Sequence, residues 1–275
     1  MYENQRSSFP WFKLLIAAAI AGFSLFSYFS HTEVNPVTEK KQHLTLTPDE
    51  EIALGVQSAP SMEAQYGGES NDAQEVRRVK SIGSRLVSGS VAHTTPYKFD
   101  FHVLSDDKTI NAFALPGGQV FITNALLHKL KTDGQLAGVL GHEVGHVVAR
   151  HSAEQLAKQR LTQGLTGAAA IAAYDPNDPN SRNTAMVAAM IGSLVNMRFG
   201  RQDELEADKL GVRIMSDAGY DPHSMVDVMD VLKRSSPHST PEFFSTHPNP
   251  ENRTEKINAA IAEKFPDGVP SNLQK

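Results

Sequence analysis

The longest apolar stretch of the chain lies near its N-terminal end. Residues 14–29 are apolar or small, with Trp11 just before the stretch and Tyr28 near its end. Counted from Trp11 the stretch is about 19 residues long, close to the roughly 20 that a helix needs to cross a bilayer. Trp and Tyr are enriched at membrane–water interfaces. We predict a membrane-spanning signal anchor within residues 1–30, uncleaved because its end lacks the small residues of a cleavage site.

A polar segment without periodicity, residues 31–46, follows and is predicted to be a linker. Thr47 then precedes Pro48 and Glu50, the pattern of an N-cap residue, a first-turn proline and a capping-box glutamate. A helix is therefore expected to begin there and to run to about Tyr66, before Gly67 and Gly68; a kink or an early end at Pro60 is the alternative.

The hydrophobic period then changes from helical to extended. Residues 72–87 carry apolar side chains at three- and four-residue spacing, which predicts an amphipathic helix. Residues 97–104 alternate apolar and polar positions, which predicts a half-buried strand. Shorter strands are predicted at residues 111–115 and 119–123, on either side of a Pro-Gly-Gly turn.

The second half of the chain is predicted to be helical. Helices are expected at residues 136–151, 201–218 and 251–265, and from residue 222 onward. The Ala- and Gly-rich region 161–197 is expected to form a helical hairpin, or else a mobile cover or a surface that meets a membrane. These patterns predict an α+β fold, mainly helical, with a small sheet and one N-terminal membrane helix.

Composition narrows the functional classes. The chain has 275 residues, a net charge of −5 and no Lys/Arg-rich run, which argues against a nucleic-acid partner. It has no cysteine, so disulfides, thiol catalysis and Cys-ligated metal sites are excluded. A chain of this size supports one substantial core, and we predict a single domain at residues 47–275 after the anchor (1–30) and the linker (31–46).

Candidate metal ligands fall within the helix predicted at residues 136–151. It contains the HExxH pattern, with His142, Glu143 and His146. Histidines four residues apart share a helix face and can bind one ion, while Glu143 lies beside that ion and can take a proton from water. Imidazole ligands favour zinc, one ion per chain. His151 faces away from His142 and is predicted to be a surface or second-layer residue.

A third ligand is expected from a carboxylate further along the chain. Ser152 occupies the position of the third metzincin histidine, so that arrangement is not met. Glu204 and Asp208 lie four residues apart on one helix face, whereas Glu206 points the opposite way. We predict that Glu204 binds the metal and that Asp208 accepts the outer N–H of a metal-bound histidine, which fixes its tautomer.

These motifs occur together in a known family. The segments HEVGHVVARHSAEQ and ELEADKLG, with NAFALPGG at residues 111–118 and STHP at residues 245–248, resemble the gluzincin metallopeptidases related to HtpX and the CAAX prenyl protease. The resemblance is greatest to the branch that includes LoiP and BepA, and it runs from about residue 47 to residue 275. It implies a zincin-like metallopeptidase domain whose small sheet lies beside the HExxH helix.

The resemblance also implies roles for residues outside the ligand set. In such zincins the strand before the metal helix pairs with an extended substrate. The substrate-binding backbone would be that of Asn111, Ala112, Phe113 and Ala114. His247, in the family's His-Pro motif, is expected to be catalytic by stabilising the oxyanion, with Arg253 and Tyr220 as alternatives. His247 could instead occupy the open zinc position in a resting state.

The predicted function is a zinc-dependent metalloendopeptidase that hydrolyses peptide bonds in misfolded or damaged cell-envelope proteins. The main alternative is a zinc-binding chaperone or scaffold that holds extended polypeptide, and the presence of Glu143 favours catalysis over it. A third possibility is a protease that processes a single partner protein. The charges before the apolar stretch place the N-terminus in the cytoplasm. We therefore expect a single-pass protein of the bacterial inner membrane with its catalytic domain in the periplasm, or a periplasmic protein if the anchor is cleaved.

Overall fold

The chain folds into two compact units. The computed structural model describes residues 11–173, 199–235, 241–248 and 252–275. The first unit comprises Met1–Glu33, Lys41–Thr45 and Glu154–Met197. The second comprises Val34–Lys40, Leu46–Ala153 and Arg198–Lys275.

The N-terminal apolar stretch forms helix α1, Trp11–Ser30. Among the described residues it is the one helix that is long and apolar enough to cross a membrane. Strands β1 (Thr32–Val34) and β2 (Lys41–His43) then form a two-stranded sheet in the segment that was predicted as a linker. Strands of three residues are too short to show a period in the sequence, which is why the pattern did not predict them.

Two helices begin the main body of the second unit. Helix α2 (Pro48–Gln65) starts with the predicted capping box at Thr47 and continues through Pro60. Helix α3 (Ala73–Ser88) is capped by Asp72. The amphipathic pattern predicted α3 to within one residue at each end.

A three-stranded sheet follows, with strand order β3-β5-β4. Strand β3 (Asp100–Leu104) runs parallel to β5 (Gln119–Thr123), and β4 (Ala112–Ala114) runs antiparallel to β5. The predicted first strand began at residue 97, so the structure shortens it by three residues. The turn between β4 and β5 needs glycine at position 117, where φ is +79° and a side chain would collide with α2.

The HExxH motif lies on a helix that is buried on all sides. After a short helix α4 (Asn124–Leu127), α5 spans Asp133–Val148, and every residue from Gly134 to Val148 is buried. The helix contacts α3, the sheet and two later helices. A sequence without a polar face is what a central helix requires.

The helix predicted at residues 136–151 is in fact the end of α5 and the beginning of another helix. Arg150 adopts a left-handed conformation with φ of 59°, and α6 (His151–Ala173) starts immediately after it. In the first unit α6 packs against α1 at Gly164, where a Cβ atom would collide with Oγ of Ser24. The described part of the chain stops at residue 173 and resumes at residue 199. The second arm of the hairpin predicted within residues 161–197 therefore lies outside the described residues.

The described part of the second unit continues with four helices: α7 (Arg201–Asp217), α8 (His223–Ser235), the short α9 (Phe243–Thr246) and α10 (Arg253–Lys264). Helix α7 packs closely on α5, because Gly145 leaves room for the backbone of Ala207, where a Cβ would lie 2.9 Å from the carbonyl oxygen. The described chain is mainly helical with small sheets and one N-terminal apolar helix, which confirms the predicted fold class.

Candidate metal centre

Helix α5 presents two histidines one turn apart, both buried. The Nε2 atoms of His142 and His146 lie 3.0 Å from each other. This is the geometry expected of an i, i+4 pair whose rings point to one place.

Two residues from distant elements complete a cluster with them. Glu204, in the first turn of α7, lies 3.5 Å from Nε2 of His142 and 3.4 Å from Nε2 of His146. His247 follows α9, and its Nδ1 lies 3.4 Å from His142 Nε2 and 3.1 Å from Glu204 Oε1. One ligand atom of each of the four side chains lies within 4.8 Å of all the others, and all four residues are buried.

The spacing of these atoms suits a zinc ion. In a tetrahedral site with ligands ~2.0–2.1 Å from zinc, neighbouring ligand atoms lie ~3.3 Å apart. The five distances given above fall between 3.0 and 3.5 Å. Imidazole nitrogens and a carboxylate are also the donor types that zinc prefers.

The hydrogen positions and charges of these side chains also favour a bound cation. Nδ1 of His142 lies 2.9 Å from Oδ1 of Asp208, so Nδ1 donates to this carboxylate, and the neutral imidazole has its lone pair on Nε2, toward the cluster. Burial opposes ionisation of Glu204, but the three histidines that face its carboxylate hold its pKa far below the usual range. Several lone pairs and a negative charge therefore meet at one buried point, where a cation satisfies all of them together.

Glu143 stands beside this cluster rather than in it. Both of its carboxylate oxygens are buried and have no hydrogen-bond partner among the described residues. Nε2 of His247 lies 3.7 Å from Oε1 of Glu143. Burial raises the pKa of Glu143, against the opposing charges of His247 and His142. A poorly solvated carboxylate of this kind is suited to accept a proton.

A buried ion pair supports His142. Asp208 accepts from the Nε and a terminal nitrogen of Arg253 at 2.7 and 2.8 Å. That terminal nitrogen also lies 3.4 Å from Glu204 Oε2. Burial opposes the charge on Asp208, but Arg253 and His142 lower its pKa. The sequence predicted the contact of Asp208 with a histidine. Arg253, predicted as an oxyanion alternative, is held by the two carboxylates; its role toward an oxyanion stays a prediction.

His146 is supported by residues whose contacts with it were not predicted from the sequence. His151 is buried, and its Nδ1 lies 2.9 Å from Nδ1 of His146. Glu206 Oε2 lies 3.3 Å from the other ring nitrogen of His151. The second-layer alternative for His151 thus describes its position and the surface alternative does not. Phe199, also unpredicted, stacks on His146 with ring centroids 4.3 Å apart.

The predicted substrate strand corresponds to β4, which is at the edge of the three-stranded sheet. β5 pairs with one side of β4, and within the described ranges no strand pairs with its other side. Asn111 differs from the expectation, because its backbone N–H and carbonyl both bond to Thr123. The Asn111 side chain also contacts Tyr66, so this residue supports the strand from within.

Tyr220, the other oxyanion alternative, is not brought to the cluster by any recorded contact of the described residues. Its ring is buried, and the guanidinium carbon of Arg85 lies over it, 4.5 Å from the ring centroid. Its backbone N–H donates to the carbonyl of Met215, just after the end of α7. These contacts place Tyr220 in the core that supports α3 and α7.

The chain is similar to metallopeptidases of bacteria and mitochondria. Residues 73–261 match the family model described as Peptidase family M48. The chain is 34% identical over 195 residues to the beta-barrel assembly-enhancing protease of Escherichia coli (strain K12), covering 66% of this chain and 38% of that protein. It is 30% identical over 257 residues to the mitochondrial metalloendopeptidase OMA1 of Schizosaccharomyces pombe, covering 92% of this chain and 73% of that protein.

A second mitochondrial metalloendopeptidase OMA1, from Saccharomyces cerevisiae, is 28% identical over 276 residues, covering 92% of this chain and 77% of that protein. The chain thus spans well under half of the bacterial relative and about three quarters of the two fungal ones. A metallopeptidase family implies a bound metal, in agreement with the buried cluster. The chain belongs to Peptidase family M48, which confirms the metallopeptidase family predicted from its HEVGH and ELEAD motifs.

Proposed function

We propose that this chain is a zinc-dependent endopeptidase in which His142, His146 and Glu204 bind the metal. The observation that carries the proposal is the carboxylate of Glu143, which lies beside the cluster of ligand atoms. This carboxylate is buried and has no hydrogen-bond partner among the described residues. Burying a carboxylate in this way is unfavourable and adds nothing to polypeptide binding. A base next to a water site is what peptide hydrolysis requires.

Zinc, when bound, supplies the Lewis acidity that polarises the peptide carbonyl and lowers the pKa of a water molecule. Glu143 takes the proton from the attacking water and passes it to the leaving amine; its raised pKa suits both transfers. Asp208 fixes the tautomer of His142 and thereby the direction of its lone pair. The buried surroundings keep bulk water away from these groups.

His247 has two proposed roles that differ in their consequence. In the conformation described here its Nδ1 lies among the ligand atoms, which favours a resting state in which His247 takes the fourth position. After leaving that position it could donate to the oxyanion. If His247 only blocks the site, His247→Ala raises the cleavage rate; if it stabilises the transition state, the same change lowers kcat by about 10- to 1000-fold.

The substrate is proposed to be an extended polypeptide that adds to the outer edge of β4, at Ala112, Phe113 and Ala114. We take the substrates to be misfolded or damaged envelope proteins; the bacterial relative is named for enhancing β-barrel assembly. The proposed location is the bacterial inner membrane, with α1 as a single anchor and the catalytic unit in the periplasm. Processing of one specific partner is the narrower alternative.

The proposal is tested with the full-length chain in detergent, using casein as an unfolded substrate. Wild type and Glu143→Gln are compared at equal zinc content. Wild type is expected to cleave casein, and the variant is expected to retain zinc but to cleave at least ~100-fold more slowly. If both proteins hold zinc and bind casein but neither cleaves it, even with His247→Ala, the chaperone function replaces the protease function.

A further inference from the structure

The segment Val34–Lys40 belongs to the same compact unit as the metal centre. Asn35 is almost fully buried, and its side-chain amide donates to the carbonyl of Val148, the last residue of α5, at 2.9 Å. Its side-chain oxygen accepts from the backbone N–H groups of Val37 and Thr38 at 2.8 and 3.1 Å. The segment is therefore fixed against the end of the helix that carries both candidate ligand histidines.

Lys40, at the end of this segment, is linked to His146 through two other side chains. Lys40 Nζ lies 2.9 Å from Oε2 of Glu206. The same oxygen lies 3.3 Å from Nε2 of His151, whose Nδ1 lies 2.9 Å from Nδ1 of His146. Accessibility decreases inward along this series: the side chain of Lys40 is 59% exposed, that of Glu206 15% and that of His151 1%.

The hydrogens of this series have one consistent arrangement once His146 binds a metal through Nε2. Its Nδ1 then carries a hydrogen and donates to Nδ1 of His151. His151 consequently carries its own hydrogen on Nε2 and donates to Glu206. Oε2 of the Glu206 carboxylate accepts from both His151 and the Lys40 ammonium.

We propose that His151, Glu206 and Lys40 are a positioning relay for His146, through which Lys40 of the segment Val34–Lys40 contributes to the affinity of the centre for its metal. The proposal rests on the proposed function only in taking His146 as a ligand. It means that residues outside the matched family region, which starts at residue 73, complete the metal centre.

The arrangement at the other ligand histidine supports this reading. Behind His142 stands a carboxylate, Asp208, and behind the carboxylate a cation, Arg253. Behind His146 the same order occurs, Glu206 and then Lys40, with His151 inserted between the ligand and the carboxylate. In both series the carboxylate increases the electron density on a ligand nitrogen and limits rotation of its ring.

The test measures zinc affinity of the full-length chain by competition with a chromophoric chelator, without reference to proteolysis. Glu206→Gln and His151→Ala are expected to weaken binding by about 10- to 100-fold. Lys40→Ala is expected to weaken it by only about 2- to 5-fold, because its exposed charge is screened. Glu263→Gln is the matched control: Glu263 lines a surface groove together with Lys40 and Glu206 but pairs with Lys209, and its loss is expected to leave zinc affinity unchanged.

Two further measurements separate positioning from a structural effect. His151→Gln can still accept from His146 and donate to Glu206, so it is expected to bind zinc more tightly than His151→Ala. The double variant His151→Ala with Glu206→Gln is expected to match His151→Ala alone, because Glu206 acts only through His151. Relay variants loaded with Co²⁺ should also show a shifted visible absorption band, because the ligand field that His146 exerts on the ion changes.

Two results would overturn the relay: equal zinc affinity of Glu206→Gln and Glu263→Gln, or additive losses in the double variant. His142→Ala separates this failure from failure of the metal centre itself. If His142→Ala binds zinc as tightly as wild type, the proposed ligand set is wrong. If His142→Ala loses zinc while Glu206→Gln keeps it, the ligand set stands and only the relay fails.

Discussion

Buried charge is balanced residue by residue around the candidate ligands. Glu204, Asp208 and Glu143 bring three carboxylates into a region that is closed to water, and Arg253 is the buried cation that faces them. Burial disfavours the charge on Arg253, but Asp208 and Glu204 raise its pKa, so it remains charged. A metal ion supplies the additional positive charge that this set of side chains lacks.

Replacing Asp208 by Asn tests this balance. The amide accepts a hydrogen bond from His142 less strongly than the carboxylate does, so metal affinity is expected to fall by about 10- to 100-fold. Arg253 loses its bidentate partner, and the free energy of unfolding of the metal-free chain is expected to fall by about 3–5 kcal/mol. Chelator competition and urea unfolding measure the two effects, and exposed Asp230→Asn on α8 is the control. Unchanged metal affinity would show that Asp208 does not act on His142.

For individual residues, the sequence predicted those neighbours that share a face of one helix and so follow from helical spacing alone. His142 and His146, and Glu204 and Asp208, share faces of single helices, and the structure brings all four together. The roles of His142, His146 and Glu204 as ligands stay predictions. Arg253 could not be assigned to Asp208 in advance, because that pairing depends on how α10 packs on α7. The contact of His151 with His146 was not predicted, because the helical wheel does not continue through the left-handed residue Arg150.

At the scale of elements, close contacts fix α2 against the sheet. A Cβ atom at Gly55 of α2 would collide with the backbone carbonyl oxygen of Pro116, in the turn between β4 and β5. Backbone cannot move aside as a flexible side chain can. The contact therefore holds the turn, and with it the edge strand β4, in one position relative to α2.

Gly55→Ala is accordingly expected to lower the free energy of unfolding by about 1–3 kcal/mol, although alanine is the better helix former. Gly167→Ala on α6 is the matched control, since no described residue lies within 4 Å of a Cβ atom there, and the change should be neutral or stabilising. Chemical denaturation of the two variants measures the difference. Equal stability of Gly55→Ala and wild type would mean that α2 does not pack on the turn as described.

Element boundaries were predictable where a local signal marks them. The capping box at Thr47 and the period of α3 gave the first two helices of the second unit. The break between α5 and α6 has no such signal, because Arg150 is an ordinary helix former. Its left-handed backbone is stabilised by tertiary contacts: its guanidinium donates to Glu51 at 2.8 Å and to the carbonyl of Leu46 at 2.9 Å.

At the scale of the whole molecule, the proposal joins a membrane anchor to a catalytic unit. The chain has no cysteine, so single-cysteine variants report topology directly. In intact spheroplasts, Lys131→Cys in the catalytic unit is expected to react with an impermeant maleimide. Phe23→Cys, on an exposed position of α1, should react only after detergent is added, because lipid surrounds it. Labelling of Lys131→Cys only after lysis would place the catalytic unit in the cytoplasm.

One bound zinc is proposed to make this chain a peptidase, and titration of the chelator-treated chain with zinc decides whether it does. Casein cleavage is followed at each addition. Cleavage should be lost on chelation and should return in proportion to zinc, reaching a plateau at about one ion per chain. Glu204→Gln should need much more zinc for the same rate. Cleavage that persists without metal, or that does not return with zinc, would contradict the account.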